Sequence, residues 1–202
     1  MINYESENVN MALEIVERGK NFVLYSDNTI KLLRARLSFC HLAEKWAHKP
    51  TDIPKYATAV LLPKDTHDEA YQVLKRLCTD MPAEKKVKVA KKDWFLRDGD
   101  DSKYENEFGH WTFNASETRK PPVYYKDGSL IPDNDIEEEV PSGIIADIII
   151  QPWVQNNDHG TKVNASLRSV RVREDDGTRY GAAPIDVSEA WDDEDDFADD
   201  DL

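Results

Sequence analysis

The C-terminal segment constrains the fold of this chain most strongly, because it is unable to contribute to a hydrophobic core. Residues 186–202 contain ten carboxylates and no basic residue, and their only aromatic side chains are Trp191 and Phe197. Charge repulsion and the small apolar surface leave too little burial to offset the entropy of ordering. We therefore expect a disordered acidic tail over residues 185–202, and the remaining residues, roughly 185, suffice for one domain.

This tail also obscures the charge distribution of the rest of the chain. The whole chain has a net charge of −14, but without the ten tail carboxylates 26 basic residues face 30 acidic ones. Five more acids form a cluster in a predicted loop: Asp133, Asp135, Glu137, Glu138 and Glu139. Lysines are concentrated between residues 85 and 92, and arginines between residues 168 and 179. The acidic total is therefore compatible with a basic surface that binds nucleic acid.

Several classes of protein are disfavoured by the sequence. It has neither the run of about 20 apolar residues that a membrane helix needs nor the features of a signal peptide. Cys40 and Cys78 are its only cysteines, which is typical of a reduced, intracellular protein. The histidines are scattered, and none of the common catalytic or phosphate-binding motifs is present. We predict no metal, no cofactor, no membrane partner and no enzymatic activity.

The order of apolar patterns predicts a mainly β protein in which residues 30–184 form one domain. Strands are expected at residues 30–41, 56–62, 111–116, 144–153 and 163–173, with a helix at residues 65–78. Before this domain, residues 1–29 form an N-terminal extension, in which an Asn cap and a terminal glycine predict a short helix over residues 10–19. Five strands with one or two helices favour a small barrel over a parallel α/β sheet.

Aromatic and basic residues alternate along these predicted elements. Single-stranded DNA presents unstacked bases and a phosphate chain, so a protein that binds it needs aromatic platforms and cations. The candidates are Arg34, Arg36, Phe39, Lys55, Tyr56, Lys64, Lys91, Lys92, Trp94, Arg97, Trp111 and Phe113. Since alternate side chains of a strand point inward, we expect about half of the aromatic residues to lie in the core instead.

Two other functions remain open at this stage. Asp98, Asp100, Asp101 and Glu105 are carboxylates that could hold Mg²⁺ in a metal-dependent nuclease, although Asp-Gly-Asp is also ordinary turn chemistry. An acidic protein could alternatively mimic DNA and inhibit nucleases. That function requires acids spread across the fold, whereas ten of the 40 acidic residues lie in the tail.

Short segments in a fixed order resemble those of phage-encoded single-stranded-DNA-binding proteins with an oligonucleotide-binding (OB) fold. The matching segments are residues 36–39 with His41 and Leu42, residues 55–64, residues 96–100, Ser142 with Gly143, Gly160 with Val163, Leu167 opposite Val170, and residues 176–179. The resemblance implies a five-stranded OB barrel that binds single-stranded DNA during phage replication, recombination or repair, in the cytoplasm of the infected bacterial host.

The acidic tail also resembles those of phage and bacterial single-strand binders. This implies that it recruits replication proteins such as a DNA polymerase or helicase, and that it competes with DNA for the binding groove. Its contact residues would be Trp191, Asp195, Asp196, Phe197, Asp199, Asp200 and Asp201. The chain departs from the family in its predicted N-terminal helix and in ending Asp-Asp-Asp-Leu, with Phe197 five residues inside the terminus. A homodimer remains open.

Overall fold

The computed structural model of the protein describes residues 13–181. In this part of the chain it has nine strands and two α-helices, joined by short 3₁₀ turns. Their bounds are β1 Ile15–Arg18, β2 Phe22–Tyr25, β3 Ile30–Trp46, β4 Lys55–Pro63, α1 Asp68–Glu84, β5 Arg97–Asp98, β6 His110–Glu117, β7 Val123–Tyr124, α2 Ile136–Glu139, β8 Ile145–Asn157 and β9 Gly160–Glu174.

Five of the strands close into a barrel. β3 pairs with β4 and β8, β4 pairs with β6, and β8 pairs with β9, all antiparallel. The circle closes where β6 and β9 meet in parallel at Ser116 and Ser166. Closure removes free strand edges from the barrel. The predicted mainly β fold with a five-stranded barrel is confirmed.

The barrel interior is filled by aliphatic side chains that alternate along the long strands. Ile30 and Leu32 of β3 and Ile148 and Ile150 of β8 are fully buried. The apolar face of α1, formed by Ala70, Val73, Leu74 and Leu77, packs into the same core. The predicted strands and helix are all present, and each is longer than or shifted from the predicted range by a few residues.

One buried charge sits beside this core. The carboxylate of Asp147 on β8 is paired with Arg171, at 2.8 Å, and with Arg173, at 3.1 Å, and accepts a hydrogen bond from the backbone N–H of Arg34. We refer to the group of ion pairs around it as the charged seam, which consists of Arg34, Arg36, Asp147, Arg171, Arg173, Glu174 and Asp176.

The predicted N-terminal helix is wrong for the residues that the structure describes. Ile15–Arg18 is strand β1, which pairs antiparallel with β2, and β2 pairs in turn with β3. The Gly19 N–H donates to the Phe22 carbonyl oxygen across the turn that joins the two strands. Phe22, Val23 and Leu24 are buried, so tertiary packing of β2 overrides the weak local helix propensity.

Candidate nucleic-acid interface

A cleft of about 1310 Å³ crosses the outer face of the barrel. Its floor comprises Ala57, Thr58 and Ala59 of β4 together with Thr112, Phe113 and Asn114 of β6. Its walls are formed by β3 and the segment that follows it, residues 39–48, and by residues 91–107, which pass over the barrel between α1 and β6. The small alanine side chains on the floor leave room for a flat ligand above the strands.

Two exposed aromatic groups line the cleft. Phe39 is 46% exposed and Tyr104 is 41% exposed, and their rings meet edge to face with centroids 5.2 Å apart. Trp46 is 47% exposed and lies parallel to the His41 imidazole at 4.8 Å. Burial lowers the pKa of His41, which keeps the ring that backs the indole uncharged near neutral pH. Both groups offer aromatic surface on which a base can stack.

A β-bulge explains why Phe39 faces outward. Leu37 and Ser38 are both fully buried, and the pairing of β3 with β4 shifts register between Ser38 and His41. Phe39 has a φ of 49°, a left-handed conformation that costs about 1 kcal/mol or more for a residue with a side chain. A bulge of this kind redirects a side chain that regular alternation would place elsewhere, and such strain is concentrated at functional sites.

The cleft also contains unpaired cations. Lys91, Lys92, Arg97 and Lys103 are exposed, and none forms an ion pair with any residue of the 13–181 range. The Lys103 ammonium lies 4.9 Å from the centroid of the Tyr104 ring. Cations beside aromatic rings suit a ligand that combines phosphates with flat bases.

Two of the four carboxylates proposed for Mg²⁺ are already bound by a lysine. The Lys64 ammonium lies 2.5 Å from Asp98 and 2.6 Å from Asp100. Burial lowers the pKa of Lys64, but its hydrogen bonds to Asp100 and Asp98 outweigh burial and raise the pKa overall. Within residues 13–181, no group of three or more His, Cys, Asp or Glu side chains is arranged to hold a metal ion. Lys64 therefore holds Asp98 and Asp100 in a structural ion-pair cluster.

Three of the predicted stacking residues are covered wholly or partly by other side chains. Phe113 is only 3% exposed and meets Phe95 edge to face in the core. Trp111 stacks on Tyr71 at 3.8 Å, with the Lys64 ammonium 4.4 Å from its ring centroid, and Trp94 packs against the core. Burial therefore argues against base stacking by Phe113, and Tyr71 and Lys64 already contact the ring of Trp111.

The remaining candidates lie outside the cleft. Arg34 and Arg36 belong to the charged seam, where Arg36 makes a bidentate contact with Asp176 and donates to the Gly143 carbonyl. Tyr56 is half-buried, with the Lys45 and Lys120 ammonium groups 5.7 and 6.0 Å from its ring centroid. Lys55 is exposed and precedes Tyr56, while Lys64 is held by the two aspartates. Of the twelve predicted residues, the cleft brings together Phe39, Lys91, Lys92, Arg97 and Phe113.

Five aromatic or basic residues of the cleft were missed by the sequence reasoning: His41, Trp46, His48, Lys103 and Tyr104. A signal was present in two places, because Lys45 precedes Trp46 and Lys103 precedes Tyr104, which is the same pairing of basic and aromatic residues used elsewhere. Trp46, His48, Lys103 and Tyr104 lie outside the predicted strands, whereas His41 is the last residue of the predicted strand 30–41. The predicted partner-binding residues, from Trp191 to Asp201, lie outside the described residues.

Comparison with known proteins yields one family and a group of similar structures. A family model described as Enterobacter phage Enc34, ssDNA-binding protein, matches residues 28–202. The single-stranded DNA-binding protein from bacteriophage Enc34, solved in complex with ssDNA, is 31% identical, with a TM-score of 0.80 over 85% of this chain and 99% of that chain. These matches confirm the resemblance drawn from the sequence.

Two further structures of the Enc34 protein are similar to this chain. A C-terminal truncation has a TM-score of 0.78 and 32% identity over 84% of this chain and 98% of that one. Another structure of the protein has a TM-score of 0.76 and 32% identity over 89% and 99%. A search of curated proteins finds no match. Neither helix in the described part of the chain has the length and hydropathy needed to cross a membrane.

Proposed function

The chain belongs to the family of the Enterobacter phage Enc34 ssDNA-binding protein, and on this premise we propose that it binds single-stranded DNA in the cleft over β3, β4 and β6. The observation that carries this proposal is the coincidence of exposed aromatic rings with unpaired cations in one cleft. Phe39, Tyr104 and Trp46 stack with bases, while Lys91, Lys92 and Arg97 neutralise phosphates. Because every base has a π face, such binding tolerates any sequence.

The biological role follows from this chemistry. The protein coats single strands exposed during phage replication, recombination or repair, in the cytoplasm of the infected host. The acidic tail, residues 185–202, recruits a replication protein such as a polymerase or helicase and competes with DNA for the cleft. A flexible polyanion tethered to a cationic site has a high effective concentration there.

Tryptophan fluorescence tests the cleft directly. Titration with oligo-dT quenches the tryptophan fluorescence of the intact protein, whereas titration with duplex DNA of the same length does not. Trp46→Ala removes most of this quenching and weakens binding by about 1–3 kcal/mol, the usual contribution of one stacked base. The matched control is Trp153→Ala, because Trp153 is 42% exposed but does not line the cleft. Equal losses in the two variants would contradict the assignment of the cleft.

The role of the tail is tested by truncation. A chain that ends at residue 185 binds oligo-dT more tightly than the intact chain at low salt, and the difference shrinks as salt screens both polyanions. Replacing Phe197 by Ala leaves this competition nearly unchanged, because competition depends on charge, but it weakens docking to a partner protein. Equal affinities of the intact and truncated chains at low salt would rule out competition and leave only recruitment.

A further inference from the structure

A row of lysines leads from the end of α1 to the cleft. Lys85, Lys86 and Lys88 are exposed, whereas Val87 and Val89 between them are half-buried and pack against the core. The side chains along this segment therefore divide into a core-facing apolar set and a solvent-facing basic set. We refer to Lys85, Lys86 and Lys88 as the lysine ridge.

The backbone of the ridge is fixed by hydrogen bonds to the last turn of α1. The N–H of Lys86 donates to the Ala83 carbonyl at 2.9 Å, and the N–H of Val87 donates to the Pro82 carbonyl at 3.0 Å. Lys86 takes a left-handed conformation, with φ of 56°, which turns the chain out of the helix. The ridge thus precedes Lys91 and Lys92 by only a few residues, and these two lysines line the cleft.

The charge of the ridge is not balanced by the fold. None of its three lysines forms an ion pair with any residue between 13 and 181, and Glu84 is the only acidic residue between positions 84 and 92. The ridge carries no aromatic side chain. It therefore has the means to hold phosphates but not to stack bases, in contrast to the cleft.

We propose that the lysine ridge is a second DNA subsite, which binds the phosphodiester backbone of the strand as it leaves the cleft. This rests on the proposed function, since it assigns the path of the same strand. The ridge together with Lys91 and Lys92 supplies five exposed ammonium groups within eight residues, so successive phosphates of one strand each have a cation to contact. Contacts to phosphate position a strand without reading its sequence.

The proposal predicts that the ridge matters only for strands longer than the cleft. One OB fold covers about 4–16 nucleotides, so the probes are oligo-dT of about 4 nucleotides, which is confined to the cleft, and of about 10 nucleotides, which reaches the ridge. The test variant combines Lys85→Gln, Lys86→Gln and Lys88→Gln in the full chain. The control combines Lys20→Gln, Lys126→Gln and Lys162→Gln, which remove the same charge from exposed positions that do not line the cleft.

Affinity is measured for both probes over a fourfold range of salt. On the longer probe, the ridge variant has a log–log salt slope less negative by about 2, because three phosphate contacts contribute about 0.7 each. The affinity advantage of the intact protein over this variant therefore shrinks about 20-fold across that range. On the shorter probe, the ridge variant and the intact protein agree within about twofold, and the control variant keeps the intact slope on both probes.

Three outcomes overturn the proposal. Unchanged affinity and slope on the longer probe would mean that the ridge binds no DNA, as expected if it binds the acidic tail of the same chain instead. Equal losses of affinity for both probes would mean that the ridge affects binding in the cleft and does not contact the strand beyond it. If the salt slope of the control variant became less negative by as much as that of the ridge variant, the effect would come from net charge and not from the position of the ridge. Failure of the intact protein to bind either probe would instead contradict the proposed function itself.

Discussion

The cleft and the charged seam use basic residues in opposite ways. In the seam, Arg34 pairs with Glu174 at 2.7 Å, and Arg171 and Arg173 hold the buried carboxylate of Asp147. In the cleft, Lys92 and Arg97 are exposed and have no acidic partner within the described residues. The comparison shows that an available partner, and not residue type, determines whether a cation stabilises the fold or stays free for a ligand.

The seam also holds residues 176–180 against the barrel. Arg36 binds Asp176, and the Tyr180 N–H donates to the Ser142 carbonyl. Gly143 has φ of 113°, and a Cβ at this position would lie 2.1 Å from the Thr178 carbonyl oxygen. Only glycine allows the two segments to approach this closely. Charge in the seam is thus committed to tertiary contacts.

The strongest way to break the comparison is to remove the buried carboxylate of the seam. Asp147→Ala leaves Arg171 and Arg173 without their partner, and we expect the free energy of unfolding to fall by about 1–3 kcal/mol, the cost of leaving hydrogen-bonding groups unpaired. Those molecules of the variant that are folded bind oligo-dT with the affinity of the intact protein. Urea unfolding measures the loss, with Asp101→Ala as the control, because Asp101 is exposed and lines the cleft. If Asp101→Ala lowered the stability as much as Asp147→Ala does, the charges of the seam and of the cleft would not differ in their contribution to the fold.

An arginine of the cleft and an arginine of the seam should differ in what their removal changes. Removal of the cleft arginine should change DNA binding, and removal of the seam arginine should change stability. Arg97→Ala, in the cleft, makes the log–log salt slope of oligo-dT binding less negative by about 0.7, the value for one phosphate contact. Arg36→Ala, in the seam, leaves that slope unchanged but lowers the midpoint of thermal unfolding. Both effects are measured on both variants. If Arg36→Ala alone changes the slope, the seam binds DNA and the comparison is reversed.

The third and smallest effect concerns pH. The hydrogen bonds from Arg36 and Thr178 hold the pKa of Asp176 well below its usual range. Its unfolded pKa is about 3.9, so its contribution to stability is fully present above that pH and is lost as the pH falls through the folded pKa. The stability difference between the intact protein and Asp176→Asn is therefore constant near neutral pH and closes on acidification.

Urea unfolding at a series of pH values measures this difference. Asp101→Asn is the control, because the carboxylate of Asp101 has no ion-pair partner in residues 13–181, so its replacement changes stability little at any of these pH values. A difference for Asp176→Asn that widens in acid would show that the carboxylate is not stabilised by Arg36 in the folded state.

The barrel strands were predictable because their signal is local. Residues such as Ile148 and Ile150 repeat at the period of a strand, and prolines and glycines mark the boundaries. β1 was not predictable in this way, because Ile15–Arg18 is short and also fits a helix. It becomes a strand only because β2 lies beside it and is itself buried.

The candidate site was predictable only in part, since exposure depends on neighbours. Phe39 and Phe113 are both phenylalanines on barrel strands, yet a bulge turns Phe39 outward while Phe95 covers Phe113. In the same way, Lys64 faces Asp98 and Asp100 across a distance of more than 30 residues in sequence, whereas Lys91 forms no ion pair with any residue from 13 to 181. Neither difference is visible in the local sequence.

The sequence alone therefore determined the β-rich fold class, the single barrel, the acidic C-terminal segment and the kinds of residue that bind a single strand. These depend on composition and on short periodic patterns, which act within a few residues. Only the tertiary structure decided which aromatic rings are free and which cations are already paired. Those properties depend on contacts between strands far apart in the chain, and such contacts exist only once β3, β4, β6, β8 and β9 have closed the barrel.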